Sequence, residues 1–175
     1  MDVAVRRIVA WCIDWCCILV WVAVTLAVGV PLFLAGIIVT TNMVVLNLVG
    51  AIMVIVPVVL DVAWCESRLV AATPGKRAMG LIVYSSSTQM PYRLALLRNI
   101  LKLGMPWLIG HAAVFAIVSS SHSSNLVPTG VWVLTGLAYL MPIIWIISLF
   151  VGDQRTPYDR ICGTTVLRQK LTTAH

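Results

Sequence analysis

Residues 131–151 read VWVLTGLAYLMPIIWIISLFV, an apolar stretch without a single charged side chain. A helix needs about 20 mainly apolar residues to cross the hydrocarbon core of a membrane, where it must satisfy its own backbone hydrogen bonds. Residues 8–28, 43–65 and 103–121 form similar stretches, and only Asp14 and Asp61 interrupt them with a formal charge. The sequence therefore predicts four membrane-spanning helices.

The composition of the whole chain points to the same class of protein. Of the 175 residues, 61% are hydrophobic and 10% are charged, whereas roughly a quarter are charged in soluble domains. A soluble domain of this length could not bury so much apolar surface. We therefore expect residues 1–175 to form one all-α membrane domain, a four-transmembrane-helix bundle.

The basic residues predict how the bundle is oriented. All twelve Lys and Arg lie in residues 6–7, 68–102 and 155–170, and the segments 29–42 and 122–130 contain none. Because short cytoplasmic loops hold the positive charge, we expect both termini, the middle loop 66–102 and the tail 152–175 to be cytoplasmic. The expected location is the bacterial cell (inner) membrane, as a multi-pass protein. We expect the five cysteines to stay reduced on that side, without a disulfide or a metal site, and we expect no cofactor.

Charges within the predicted spans form the first candidate site. A central Asp costs about 3 kcal/mol on insertion scales, so Asp14 must take a proton or find a cation. Heptad spacing places Asp14 on one stripe with Arg7 and places Asp61 on one stripe with Arg68. We expect these stripes to face each other or a third helix. Arg7 and Asp14 are two turns apart, which favours Arg68 or Arg98 as the partner of Asp14. The pattern leaves open whether the charges fix the register of the bundle or couple ions.

The middle loop contains the turn sequence TPGKR at residues 73–77. This turn, with its two cations Lys76 and Arg77, could hold a phosphate or lipid head group through backbone amides. Alternatively, it is a solvated turn that anchors the topology. Residues 80–84 could form a short strand or an interfacial segment.

Residues 92–103 have the pattern of an amphipathic helix. Arg98, Asn99 and Lys102 share one side of a helical wheel, and leucines occupy the other. We expect this helix to lie in the membrane interface with its cations toward anionic lipid head groups.

The tail is predicted to fold back onto the middle loop. Six basic residues crowd the loop beside a single acid, so the loop repels itself unless an acid from elsewhere joins it. We expect Asp159 to pair with Lys76, Arg77 or Arg98, in a cytoplasmic charge cluster that also includes Arg160. Alternatively, Asp159 only caps the turn of the tail itself.

These patterns together resemble the RDD family of small prokaryotic membrane proteins. The resemblance covers most of the chain and rests on Arg7, Asp14, the 73–83 segment, Arg98-Asn99 and the closing residues 158–166. It implies that the family's Arg and two Asp correspond to Arg7, Asp14 and Asp159. One departure is the sequence SSSTQ at residues 85–89, where such proteins often carry an Asp-Gly turn.

The resemblance to the RDD family implies transport of an unidentified ligand, and some members of that family resemble cation/proton antiporters. Two hypotheses for the function follow. The first is transport of an ion or small solute, as proton-coupled cation exchange through Asp14 and Asp61 tuned by Arg7 or Arg68. The alternative is a non-catalytic accessory or assembly subunit of a larger membrane complex. The chain has no Ser-His-Asp set, zinc spacing or phosphate loop, so we expect no enzymatic activity. Expected partners are anionic lipids and further copies or subunits, and not nucleic acid.

Overall fold

The computed structural model describes residues 2–38, 42–85, 89–123 and 128–169. Within them lie four helices long and apolar enough to cross a membrane, Val3–Leu34, Val44–Ser67, Tyr92–Val118 and Thr129–Ser148. The predicted four-helix membrane bundle is therefore confirmed. Residues 86–88, from the stretch that departs from the family pattern, and the end of the tail at residues 170–175 lie outside the described residues.

Helix α1, Val3–Leu34, is longer than a membrane requires. Its 32 residues extend for about 48 Å, whereas the hydrocarbon core is about 30 Å thick. The N-terminal part of α1 packs against the short helix α4, Pro74–Ala78, from the middle loop. Asp14 therefore lies where this packed part of the helix ends, and not at the centre of the span.

The second and third spans each contain a π-helical segment just before a proline. The second span comprises α2 (Met43–Gly50), the π segment Ala51–Ile55 and α3 (Val56–Ser67). The third comprises α5 (Tyr92–Asn99), the π segment Ile100–Gly104 and α6 (Met105–Ser123). Each π segment ends two residues before a proline, Pro57 or Pro106. Proline has no amide hydrogen and clashes with the carbonyl four residues earlier, so the wider turn accommodates it.

Another helix uses the carbonyl that Pro57 leaves without its usual donor. Met53 lies four residues before Pro57, and the Trp21 indole nitrogen donates a 3.2 Å hydrogen bond to the Met53 carbonyl. This bond joins α1 to the second span at membrane depth.

A two-stranded antiparallel sheet covers the end of the bundle at which α4 lies. Strand β1 is Leu81–Ser85, and β2 is Thr164–Arg168, with Val83 opposite Val166. The short helix α8, Pro157–Ile161, precedes β2, and the fourth span, α7, is Thr129–Ser148. The inner face of the sheet shares one apolar core with α1, α3 and α5, built from Ala10, Ala63, Leu81, Val83, Met90, Ala95 and Val166. The tail thus folds back onto the middle loop.

The expectation that the cations of residues 92–103 face anionic lipid is wrong for Arg98. This segment continues into the third span as one helix, and Arg98 and Asn99 are buried, at 1% and 0% exposure. Their polar side of the helix faces inward because acidic partners lie there.

Candidate functional site

Six ionisable side chains lie close together where α1, α3, α4, α5 and α8 meet. We call this group the charge layer, and the end of the bundle that holds it the charged end. Its members are almost completely buried: Arg7, Asp14, Glu66, Lys76, Arg98 and Asp159.

Arg98 is the centre of the charge layer. Its Nη1 lies 2.7 Å from Oε2 of Glu66, and its Nη2 lies 2.7 Å from Oδ1 of Asp159. The planar guanidinium presents several donors in a fixed fork, so one side chain joins the second span to the tail. The predicted pairing of Asp159 with a cation of the middle loop is found at this residue.

Glu66 receives three donors within the layer. Besides Arg98, the Asn99 amide donates to Oε2 at 2.9 Å, and Lys76 forms an ion pair with Oε1. Burial lowers the pKa of Lys76 from its ordinary value, and the Glu66 carboxylate opposes that shift. Lys76 is thus a buried residue with an acidic partner, and the reading of residues 73–77 as a solvated turn does not hold for it.

Asp159 ties the tail to the start of α1. Arg7 Nη2 lies 2.5 Å from Oδ2, to which Thr156 also donates at 2.8 Å. Burial alone would raise the pKa of Asp159, but Arg98 and Arg7 outweigh it and hold the pKa well below its ordinary range. The contact between Arg7 and Asp159 brings the start of α1 and the tail to the same end of the bundle.

Asp14 binds neutral donors, and the expected Arg partner is not found within the described part of the chain. The Thr73 hydroxyl donates to Oδ2 at 2.7 Å, and the Gly75 amide donates to Oδ1 at 2.8 Å. Thr73 is the N-cap of α4 and Pro74 its first residue, a standard helix start that leaves the next amide free to bind an anion. Two turns of α1 separate Asp14 from Arg7, which binds Asp159 instead.

The expected meeting of the two charged stripes is also wrong. Asp61 is exposed on the outer face of α3 and has no hydrogen bond or ion pair among the described residues. The Arg68 guanidinium lies 3.3 Å from the ring centroid of Trp64, on the same exposed side. The structure therefore does not bring Asp14 and Asp61 together.

Two of the predicted cluster residues lie outside the charge layer. Arg77 is exposed and donates to the Ala72 carbonyl at 3.0 Å. Arg160 is exposed and pairs with Asp153 at 2.8 Å. Both therefore differ from Lys76, Arg98 and Asp159, which are buried.

A cavity of about 510 Å³ lies between the spans and meets the charge layer at one end. Its walls are mainly apolar and aromatic, and residues of all four spans contribute, among them Trp11, Trp15, Trp107 and Trp145. The charged side chains at its floor are those of Arg7, Asp14, Lys76, Arg98 and Lys102. The charge layer therefore joins the helices at this end of the bundle and also forms the floor of the cavity.

Sequence reasoning missed the central position of Glu66 and the cavity itself. Glu66 is the one acid beside six basic residues of the middle loop, and that isolation could have marked it as their partner. The tryptophans of the cavity come from three separate spans, so no single stretch of sequence reveals it.

Comparison with known proteins identifies a family whose model covers most of the chain. The model of the RDD family matches residues 3–163. No curated protein and no solved structure matches the chain.

Proposed function

We propose that this chain, which belongs to the RDD family, is a membrane carrier that holds a small solute in the cavity between its spans. The observation that carries the proposal is the cavity, which is lined by residues of all four spans and bounded at one end by buried charges. Its volume of about 510 Å³ lies within the range of roughly 300–1,000 Å³ typical of small-molecule sites. On the charge pattern, the charged end faces the cytoplasm.

The geometry favours a solute in the cavity over cation exchange at the two span carboxylates. Both carboxylate oxygens of Asp14 accept hydrogen bonds, one from Thr73 and one from Gly75. A cation would have to displace these donors, which also form the N-terminal end of α4. Asp61 points away from the bundle. A carrier function therefore rests on the cavity and not on Asp14 and Asp61 acting as a pair. We propose that the chain acts as a carrier and not as an enzyme.

The test is an efflux assay in liposomes that compares the wild-type chain with a cavity-filling variant. Liposomes containing the purified chain are loaded with an isotopically labelled cell extract, and the compounds that leave are identified by mass spectrometry. Ala138 lines the cavity, so Ala138→Phe should abolish the release of the transported compound. Gly136 lies on the same helix and does not line the cavity, and a Cβ added there would have no other atom within 4 Å, so Gly136→Phe is the matched control and should transport normally. Equal release from wild-type, Ala138→Phe and protein-free liposomes would exclude the carrier.

A second candidate, an accessory subunit of a larger complex, has one observation in its favour. Asp61 is an exposed carboxylate within the second span. A charge facing lipid costs about 3 kcal/mol on insertion scales, and a basic residue on a partner helix would remove that cost.

This alternative is tested by copurification from membranes in mild detergent. A stoichiometric partner that is lost in Asp61→Asn but retained in Asp153→Asn would support it. Recovery of the chain without another protein, from both wild type and variant, would argue for the carrier acting alone or as copies of itself.

A further inference from the structure

We infer that the solute is an amphiphile with one anionic head group and an apolar chain. The head group would lie against Lys102 and the chain along the apolar walls of the cavity. This inference rests on the proposed carrier function and names the chemical class of its substrate.

The charge of the cavity floor supports an anion. The charge layer holds three formal positive charges, on Arg7, Lys76 and Arg98, and three formal negative charges, on Asp14, Glu66 and Asp159, so it is neutral within itself.

Lys102 adds a positive charge that the layer does not balance. It lies on the π segment Ile100–Gly104, lines the cavity and is half-buried. Among the described residues it forms no ion pair and no hydrogen bond of its side chain. Glu66 attracts Lys102, but its carboxylate already forms ion pairs with Lys76 and Arg98. An anionic group in the cavity would give this half-buried cation a direct partner.

The walls above Lys102 support an apolar chain. Ile18, Val54, Val114, Ile117 and Ile146 line the cavity from different spans, and Thr135 is among the few polar residues there. If a small polar anion such as phosphate were bound, the apolar side chains of these walls would remain in contact with water. A chain that fills them gains the free energy of burying apolar surface.

The packing of the spans indicates where such a molecule enters. Helix α1 packs on α4 and on the π segment Ala51–Ile55, whereas α7 packs on α6, and α1 and α7 make little contact with each other. Helix α7 makes equally little contact with the second span, so the bundle is least closed beside α7, on the side away from α6. Membrane lipid surrounds that side, so an amphiphile can pass from the bilayer into the cavity without crossing water.

Tryptophan quenching tests the inference on the full chain in a neutral detergent, because tryptophans line the cavity. The probes are chain-brominated dodecanoate, dodecyl phosphate, dodecanol and dodecyltrimethylammonium, which share a chain and differ in the head group. We expect saturable quenching by the two anions, with affinity at least about tenfold above that of the alcohol and the cation, as for a hydrogen bond to a charged group. The tighter of the two anions identifies the head group as carboxylate or phosphate.

Variants separate the head group from the cavity. Lys102→Gln should weaken anion binding about tenfold, Lys102→Arg should retain it, and Arg93→Gln, at an exposed cation of α5, is the matched control without effect. If the cation or the alcohol binds as tightly as the anions, or if Lys102→Gln changes nothing, the anionic assignment is wrong. The carrier proposal survives that result provided Ala138→Phe abolishes quenching by every probe, and it fails with the inference if Ala138→Phe leaves quenching intact.

Discussion

The amide of Gly75 lies 2.8 Å from Oδ1 of Asp14, an approach that no other residue type at position 75 could make. A Cβ added at Gly75 would lie 2.0 Å from the carbonyl oxygen of Ala10 and 2.9 Å from Asp14 Oδ1. Helix α4 therefore contacts the backbone of α1 directly. The glycine of the TPGKR turn is required by this contact between two helices.

Replacing Gly75 by alanine should separate these helices and destabilise the charged end. The atoms that the methyl would meet belong to α1, and the closest is the backbone carbonyl oxygen of Ala10, which cannot move aside unless the helix does. We therefore expect a loss of about 1–3 kcal/mol in the free energy of unfolding. Thermal unfolding in detergent measures it. Gly29→Ala is the control, because position 29 has open space within α1 and alanine favours helix there; a similar loss in both variants would contradict the explanation.

Asp14 should behave as a structural acceptor when it is substituted. Asp14→Asn retains an oxygen for the Gly75 amide, whereas Asp14→Ala leaves that amide and the hydroxyl hydrogen of Thr73 buried without an acceptor. Each unsatisfied group costs about 1–3 kcal/mol, so the alanine variant should be clearly the less stable of the two. Equal unfolding temperatures for both variants would show that these hydrogen bonds do not stabilise the fold.

Lysine should not replace Arg98, although it keeps the charge. A single ammonium group cannot bridge Glu66 and Asp159 as the guanidinium does. We expect Arg98→Lys to lower the free energy of unfolding by about 2–4 kcal/mol. Arg160→Lys, at an exposed pair with Asp153, should leave the unfolding temperature unchanged, and a tolerated Arg98→Lys would mean that the bridge is dispensable.

Acid should destabilise the protein through Asp159. The pKa of this carboxyl lies below its ordinary value in the folded chain and near about 3.9 when unfolded. Between the two values the unfolded chain binds more protons, so stability is full above the unfolded pKa and is lost as the pH falls through the folded pKa. Unfolding temperatures from about pH 7 to about pH 3 should fall below about pH 4 in the wild type.

Asp159→Asn should have a flatter profile over that range, because its amide does not titrate. Asp2→Asn, at an exposed position before α1, should follow the wild-type profile. A fall of equal size in Asp159→Asn would place the acid sensitivity at another carboxyl.

Reporter fusions test the orientation of the bundle. Because short cytoplasmic loops carry the basic residues, a fusion after Ser121 should report an outside location and a fusion after His175 an inside one. The contact between Arg7 and Asp159 requires the start of α1 and helix α8 to lie on one side of the membrane. An outside location for the fusion after His175 would contradict the proposed orientation.

Much of the candidate site could be anticipated, but the partners of its residues could not. The crowding of basic residues in the middle loop predicted that Asp159 would pair there. Like charges close together in the sequence repel each other in any fold, so an acid must come from elsewhere. The same reasoning failed for Asp14. Its cost in an apolar span demands some partner, but a carboxylate is satisfied equally by a cation or by hydroxyl and amide donors, and the sequence does not say which lies near.

The sequence by itself determined the membrane class, the four spans and the end at which the charges gather. These follow from the length of each apolar stretch and from where basic residues lie, which are properties of consecutive residues. Only the tertiary structure decided that Arg98 bridges Glu66 and Asp159, that Asp14 accepts hydrogen bonds from the start of α4, and that Asp61 is exposed. Those outcomes depend on distances of a few ångströms between segments far apart in the chain, and such distances are set when helices pack, as where Gly75 allows α4 to touch α1.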